Sequence, residues 1–206
     1  MNTDLRLIVL AKAPLPGYAK TRLIPALGES GAAELAERLL LQTLTACIEA
    51  ELGAVELHVA PAPSHSYWQN FSLPEGVTLH GQVDGDLGRR LWRATDIARE
   101  AGSRVLLLGT DCPGLTSARL RTAVAELRRW DVVMYPALDG GYTLLGLSCI
   151  KRRLFEDIHW STSEVAAQTL ERMSECGLEC LELEALADID EPEDLRHLPD
   201  SLRENR

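Results

Sequence analysis

The strongest constraint on the fold is an alternation of short apolar runs with segments whose apolar residues recur at helical spacing. Arg104 to Gly109 contains Val105, Leu106, Leu107 and Leu108. A run apolar on both faces suits the centre of a parallel sheet, where helices cover both sides. Leu5 to Ala11 reads as a buried first strand, Val55 to Ala60 as a second and Val77 to His80 as a shorter third. Between them, Ala33, Ala36, Leu40, Leu44 and Cys47 follow the helical period in a helix expected to begin near Ser30. Leu87, Leu91, Ala94 and Ala98 do the same in a later one. A helix from about Ser117 to Arg129 and a strand from Val132 to Tyr135 follow. Asp139-Gly140-Gly141 then opens a strand through Leu147. Ser161 with Glu164 forms a capping-box pattern before a helix through Met173, and Leu178 to Leu183 is a last strand-like segment. The pattern predicts an α/β fold, a three-layer, Rossmann-like sandwich with a mostly parallel central sheet.

With 206 residues and 46% hydrophobic content, there is material for one sizeable core, so residues 1–206 are expected to form a single domain. The N-terminus has no basic lead or cleavage pattern of an export signal, and no stretch is long enough to cross a bilayer. Five scattered cysteines make a poor disulfide framework and read as free thiols in a reducing, cytoplasmic setting. The formal net charge of −10 disfavours nucleic acid as a partner. Yet Leu5 to Gly28 holds no acidic residue, while Arg6, Lys12, Lys20 and Arg22 supply positive charge there. A basic island on an acidic chain suits a small anionic ligand.

Ligands of such folds collect at the carboxyl ends of the strands, which directs attention to four loops. The first, Lys12 to Arg22, has Pro14 and Pro16 to stiffen it, Gly17 to let it bend, and Lys20 and Arg22 to meet a pyrophosphate. It lacks the glycines of a P-loop, and a solvated basic turn is its plainer reading. Asp111 leaves the central apolar run, where a carboxylate can hold Mg2+ or Mn2+ against phosphates, or equally satisfy turn amides ahead of the next helix. Asp139-Gly140-Gly141 is either a close backbone approach to a ligand or an ordinary tight turn. Asp188 and Asp190 are metal ligands or caps before Pro192. Trp160 can stack on a base or acceptor, or be buried. His159 has no identifiable partner and reads as structural. Cys176 and Cys180 read as packing at a helix-to-strand junction. There is no zinc motif, no catalytic serine elbow and no dinucleotide fingerprint, and no His or Cys cluster is expected to compete with the carboxylates for a metal.

At these positions the chain resembles bacterial transferases of the nucleotide-diphospho-sugar transferase superfamily. It is similar to 2-phospho-L-lactate guanylyltransferases, to molybdenum cofactor guanylyltransferases, and to the group labelled glycosyltransferase or radical-SAM and selenodomain-associated transferase. The stretches that carry the resemblance run in order along nearly the whole chain. They are Leu10-Ala11-Lys12-Ala13-Pro14 through Lys20-Thr21-Arg22-Leu23, Gly81-Gln82 through Asp86-Leu87-Gly88, Gly109-Thr110-Asp111-Cys112-Pro113, Asp139-Gly140-Gly141-Tyr142, Trp160-Ser161-Thr162, and Asp188-Ile189-Asp190 through Leu195.

The resemblance implies a glycosyltransferase-A type sandwich. Leu10, Ala11, Lys12, Pro14, Gly17, Lys20, Thr21, Arg22, Gln82, Gly88 and Thr110 would bind a nucleotide. Asp139, Gly140, Gly141, Trp160 and Ser161 would bind an acceptor, and Asp111, Asp190 and Asp188 would hold Mg2+ or Mn2+. Lys20, Arg22 and Asp111 would be catalytic. Here the first loop is proline-rich where sugar-nucleotide synthases have glycines, and Asp111 precedes Cys112-Pro113 rather than completing an Asp-x-Asp motif. Two reactions suit these groups: nucleotidyl transfer from a nucleoside triphosphate to a small phosphorylated or hydroxylated acceptor, or glycosyl transfer from a nucleotide sugar. A nucleotide-binding regulatory module without turnover is a third reading, against which the carboxylates speak. The expected partners are the nucleotide or nucleotide sugar and a small-molecule acceptor, with room for a homodimer and no role for membrane.

Overall fold

The computed structural model describes residues Asp4 to Arg203. Its centre is a seven-stranded sheet built from β1 (Leu5–Lys12), β2 (Ala54–Ala60), β3 (Val77–Gly81), β4 (Arg104–Leu108), β5 (Val132–Pro136), β6 (Tyr142–Leu147) and β7 (Cys180–Glu182), in the order β3-β2-β1-β4-β6-β5-β7. Five helices accompany it: α1 (Ile24–Ala50), α2 (Ser66–Asn70), α3 (Leu87–Glu100), α4 (Ser117–Glu126) and α5 (Val165–Glu175). Alternate residues of β1 explain the layers. Leu5, Leu7, Val9 and Ala11 enter a core with Leu40 and Leu44 of α1 and Leu120 of α4. Ile8 enters a second core with Leu91, Ala94 and Ala98 of α3 and Met173 of α5. Among the described residues no helix is long and apolar enough to cross a membrane, and all five cysteines are unpaired thiols.

The sheet is mostly parallel, with one departure that decides where the loops meet. β6 runs antiparallel to both β4 and β5, whereas the β1–β2, β1–β4, β2–β3 and β5–β7 pairs are parallel. The departure begins at the Asp139-Gly140 turn, where Gly140 takes φ 92°, a conformation that suits glycine. Because β6 is reversed, its start lies at the same sheet edge as the ends of β1, β4, β5 and β7. The order also reverses between β1 and β4, the place where open α/β sheets leave a crevice.

Several boundaries differ from the sequence reading. The first helix begins at Ile24 rather than near Ser30 and is interrupted at Gly28, whose φ of 71° and ψ of 169° are not helical. The helix expected to reach Arg129 stops at Glu126, and the last strand is confined to Cys180–Glu182. The Ser161–Glu164 capping box does not form. Ser161 sits at φ 65°, and helix α5 starts after Glu164 without a side-chain cap. Instead Thr162 Oγ1 donates to the His159 carbonyl at 2.7 Å and accepts the Glu164 amide at 3.3 Å. The short helix α2 carries no long apolar period, so the sequence pattern passed over it.

Leu106 is fully buried at the middle of β4, over Gly146 of β6, where an added Cβ would stand 3.0 Å from its methyl group. Leu106→Ala is expected to lower unfolding free energy by about 2–5 kcal/mol, as large-to-small changes do in tight cores. Urea denaturation followed by circular dichroism measures it.

Candidate functional site

After β1 the chain turns over Leu15, whose carbonyl oxygen accepts the Tyr18 and Ala19 amides at 3.0 and 3.1 Å. This turn delivers Lys20 in the left-handed region at φ 49°, a conformation that costs a residue with a Cβ roughly 1–2 kcal/mol. Its contacts offset that cost. The Lys20 ammonium donates to the Ile189 carbonyl at 2.6 Å and to Asp190 Oδ1 at 2.8 Å, and it pairs with Asp111. The Lys20 side chain is 7% exposed, against 44% for Asp111 and 40% for Asp190. The carboxylates therefore face solvent with the cation beneath them. Burial works against the charge on Lys20, but Asp111 and Asp190 outweigh it and hold its pKa above the ordinary value.

Asp111 follows β4 by three residues, and its own carbonyl accepts the Ile189 amide at 2.9 Å. It does not serve the next helix, because Thr116 caps α4 by accepting the Arg119 amide. Asp188 and Asp190 are not caps either. The turn at Pro192 is closed by Asp194, whose Oδ2 accepts the Asp190 and Glu191 amides at 3.1 and 2.7 Å. Asp139 turns back on its own loop, accepting the Gly141 amide at 2.8 Å. Burial, and then the charges of Asp139, Asp190 and Asp111, raise the Asp188 carboxyl pKa to about 6.

The remaining expected residues divide between this edge and elsewhere. Arg22 and Thr21 are exposed in the short turn Thr21–Leu23, and Arg22 pairs with Glu191 at 3.2 Å. Lys12 is exposed at the end of β1, Pro14 is buried, and Gly17 takes φ 72° in the first loop. Leu10 packs against the core on the α3 side. Ala11 is buried, and Gln82 Nε2 donates to its carbonyl at 3.1 Å and to that of His58 at 2.8 Å. Gln82 thereby ties together the ends of β1 and β2. Thr110 is half-buried beside Asp111.

Gly140 lies against the start of α5, where a Cβ would meet the Ser163 carbonyl at 2.1 Å. Gly88 and Trp160 meet each other. A Cβ at Gly88 would stand 2.8 Å from Trp160 Nε1 and 2.3 Å from the Phe155 carbonyl. Both line a groove of about 490 Å3 with Arg89, Trp92 and Arg152, and exposed Ser161 sits at its margin in sequence. His159, expected to lack partners, has two: its Nδ1 is 3.1 Å from Gln168 Nε2 and 3.4 Å from Glu164 Oε2.

Asp111, Asp139, Asp188 and Asp190 offer oxygen donors alone, as Mg2+ or Mn2+ requires. The Lys20 ammonium itself occupies the place between Asp111 and Asp190, and their oxygens are of the hard donor type that such ions take. The sequence reading erred in finding no histidine cluster. Among the described residues, the group of three ligating atoms lying within 4.8 Å of one another is Glu56, His58 and His80. Parallel pairing of β2 with β3 sets His58 beside His80, a neighbourhood that no sequence spacing reveals.

The crowding of Asp188 has a measurable consequence in metal-free protein. Its folded pKa lies above the ordinary carboxyl value of 3.8, so this group favours the fold below the unfolded pKa, and that advantage is lost as pH rises through about 6. Asp188→Asn is expected to raise the melting temperature in EDTA at neutral pH. The gain should shrink as pH falls through about 6 and vanish only below about 3, where the wild-type carboxyl is protonated in both states. Differential scanning calorimetry across pH measures both.

Solved structures that share this architecture include the following three. A provisionally named nucleotide-diphospho-sugar transferase from Desulfovibrio desulfuricans G20 is 28% identical, with a TM-score of 0.87 over 98% of this chain and 89% of its own. A nucleotidyl transferase from Methanothermobacter thermautotroptrophicus is 19% identical, with a TM-score of 0.64 over 98% of each chain. Rv0371C of Mycobacterium tuberculosis H37Rv, in complex with manganese, is 16% identical, with a TM-score of 0.61 over 97% of this chain and 100% of its own. A comparison with curated proteins finds no significant match. The fold is that of the nucleotide-diphospho-sugar transferase superfamily, and residues 43–162, more than half of the chain, match the profile of one family. The chain belongs to that family, DUF2064, described as uncharacterized protein conserved in bacteria.

Proposed function

We propose that this protein is a divalent-metal-dependent transferase acting on a nucleoside triphosphate or nucleotide sugar, with nucleotidyl transfer to a small phosphorylated or hydroxylated acceptor as the leading reaction. The observation that carries the proposal is the joining of Asp111 and Asp190 through buried Lys20 at the crevice between β1 and β4. Asp188 and Asp139 add charge nearby. Loops bearing carboxylates and the loop bearing the basic residues thus share one sheet edge, as a site for an anionic ligand and its metal requires.

Asp111 and Asp190, with Asp188, are the residues that would hold the metal. When bound, it would supply positive charge to phosphate oxygens as negative charge develops on the leaving group. The protein's own groups would mainly position and neutralise. Lys20 is already engaged by Asp111 and Asp190, so its first task is to hold these carboxylates at their mutual distance. Arg22 is exposed, and a terminal phosphate would compete with Glu191 for it. The backbone of Asp139-Gly140-Gly141 would meet the acceptor.

Glycosyl transfer is the second reading, favoured by the name of the Desulfovibrio relative. The manganese complex and the nucleotidyl transferase among the structural neighbours support the metal and the leading reaction by analogy of fold alone. A panel of nucleoside triphosphates and nucleotide sugars, screened for thermal stabilisation with and without Mn2+, separates the readings. Stabilisation by a triphosphate, with pyrophosphate released in the presence of acceptor, supports nucleotidyl transfer.

Asp111→Asn is expected to abolish metal-dependent turnover and the metal-dependent part of nucleotide binding, with some loss of metal-free thermal stability because buried Lys20 keeps only Asp190 as a counter-charge. Retained metal dependence together with a large loss of stability would make Asp111 a structural residue. Lys20→Met is expected to tighten binding of Mn2+ alone, because it removes the competing cation from Asp111 and Asp190, while weakening nucleotide binding and turnover. Isothermal titration with Mn2+ measures this, and unchanged affinity for the metal alone would show that Lys20 does not compete at that point.

A further inference from the structure

A second constellation stands away from the crevice, on the face of the sheet that packs towards α3. Val55, Leu57 and Val59 of β2 point into the opposite core, so alternation sends Glu56 and His58 to the α3 face. The same alternation puts Thr78 and His80 of β3 beside them, because Glu56 pairs in register with Thr78 and His58 with His80. Glu56 and His58 are buried, at 4% and 6% exposure, on strands near the sheet edge where an apolar side chain would ordinarily pack. Glu56 Oε2 is 3.2 Å from His58 Nε2, and the imidazoles of His58 and His80 stack with centroids 4.9 Å apart. One ligating atom from each of the three residues falls within 4.8 Å of the others.

We propose that Glu56, His58 and His80 form a binding site for one transition-metal ion of the zinc class, joining edge strand β3 to β2. Two imidazole nitrogens and one carboxylate oxygen form a donor set that selects Zn2+, Co2+ or Ni2+ over the hard Mg2+ and Mn2+. His80 is partly exposed, which gives an ion a way in and leaves room for water as a further ligand.

Arg6 is the competing partner. Its Nη1 lies 2.5 Å from Glu56 Oε1, which leaves Oε2 on the histidine side. Without a metal, these contacts form a buried ion pair extended by an imidazole, and this is the structural alternative the test must distinguish. The proposal is independent of the transferase reading, since it shares no residue with the Asp111 cluster. Its structural effect would reach the Gly81–Gly88 loop, because Gln82 donates to the His58 carbonyl.

The test uses the full-length protein, stripped with EDTA and titrated with Co2+, whose visible d–d absorption reports nitrogen and oxygen ligation. One Co2+ per chain is expected to give the absorption of nitrogen ligation, whatever binds at the Asp111 cluster. That absorption should be retained in Asp111→Asn and lost in His80→Ala, a substitution at a partly exposed edge position. Zn2+ should raise the melting temperature of the wild type and not that of His80→Ala. If His80→Ala does not fold by circular dichroism, His80→Gln takes its place with the same expected loss. Absence of the Co2+ absorption in the wild type overturns the proposal and leaves the Arg6–Glu56–His58 ion pair as the account. Absorption that survives the loss of His80, or that disappears in Asp111→Asn, overturns it equally.

Discussion

The ion pairing of Lys20 with Asp111 and Asp190 organises the functional edge of this protein. It joins three segments that the sheet alone would leave separate: the loop after β1, the loop after β4 and the C-terminal tail. A buried ammonium between two carboxylates is tolerable only because the acids compensate for its lost hydration, which is also why a residue with a Cβ persists in the left-handed region there. The tail is held by more than charge. Ile189 is fully buried with Leu23, Leu35 and Leu39 of the first loop and α1, its amide donates to the Asp111 carbonyl, and its carbonyl accepts from Lys20. Apolar burial of Ile189 thus fixes where its charged neighbours Asp188 and Asp190 stand.

The reversed strand β6 has an equally large part. Inserted between β4 and β5, it brings the Asp139-Gly140-Gly141 turn to the edge that already carries Asp111. A right-handed crossover to a parallel strand would have carried the connection to the opposite edge. The loop is a tight turn that closes a hairpin, and the close approach Gly140 makes is to the Ser163 carbonyl, where a side chain would not fit, not to a ligand. Asp139 consequently adds its charge to Asp188.

Polar groups are distributed over two places with different chemistry. Oxygen donors gather at the crevice, and imidazoles gather with Glu56 near the β3 edge. The separation keeps the oxygen-donor cluster apart from the nitrogen-rich one, and each has its own basic partner, Lys20 in the first and Arg6 in the second. The groove beside Trp160 is a third feature, formed where α3 meets the Arg152–Phe155 turn. Gly88 is small there because Trp160 and the Phe155 carbonyl occupy the space, a packing reason that suffices without a ligand.

By itself, the sequence determined the layers and much of the chemistry available at the crevice. Apolar runs such as Val105 to Leu108 and the helical period of Leu91, Ala94 and Ala98 depend on near neighbours in the chain, so local pattern is enough to read them. Asp111, Lys20, Asp139 and Asp190 stood out for the same reason, as polar residues just beyond those elements. Tertiary structure decided what each one touches. Lys20 and Asp190 are 170 residues apart in sequence, and only the packing of the tail on α1 makes them partners. The reversal of β6, the contact of Trp160 with Gly88 and the assembly of Glu56, His58 and His80 likewise depend on strand order and register. Those follow from how whole elements bury their apolar faces together, a competition that no local spacing records.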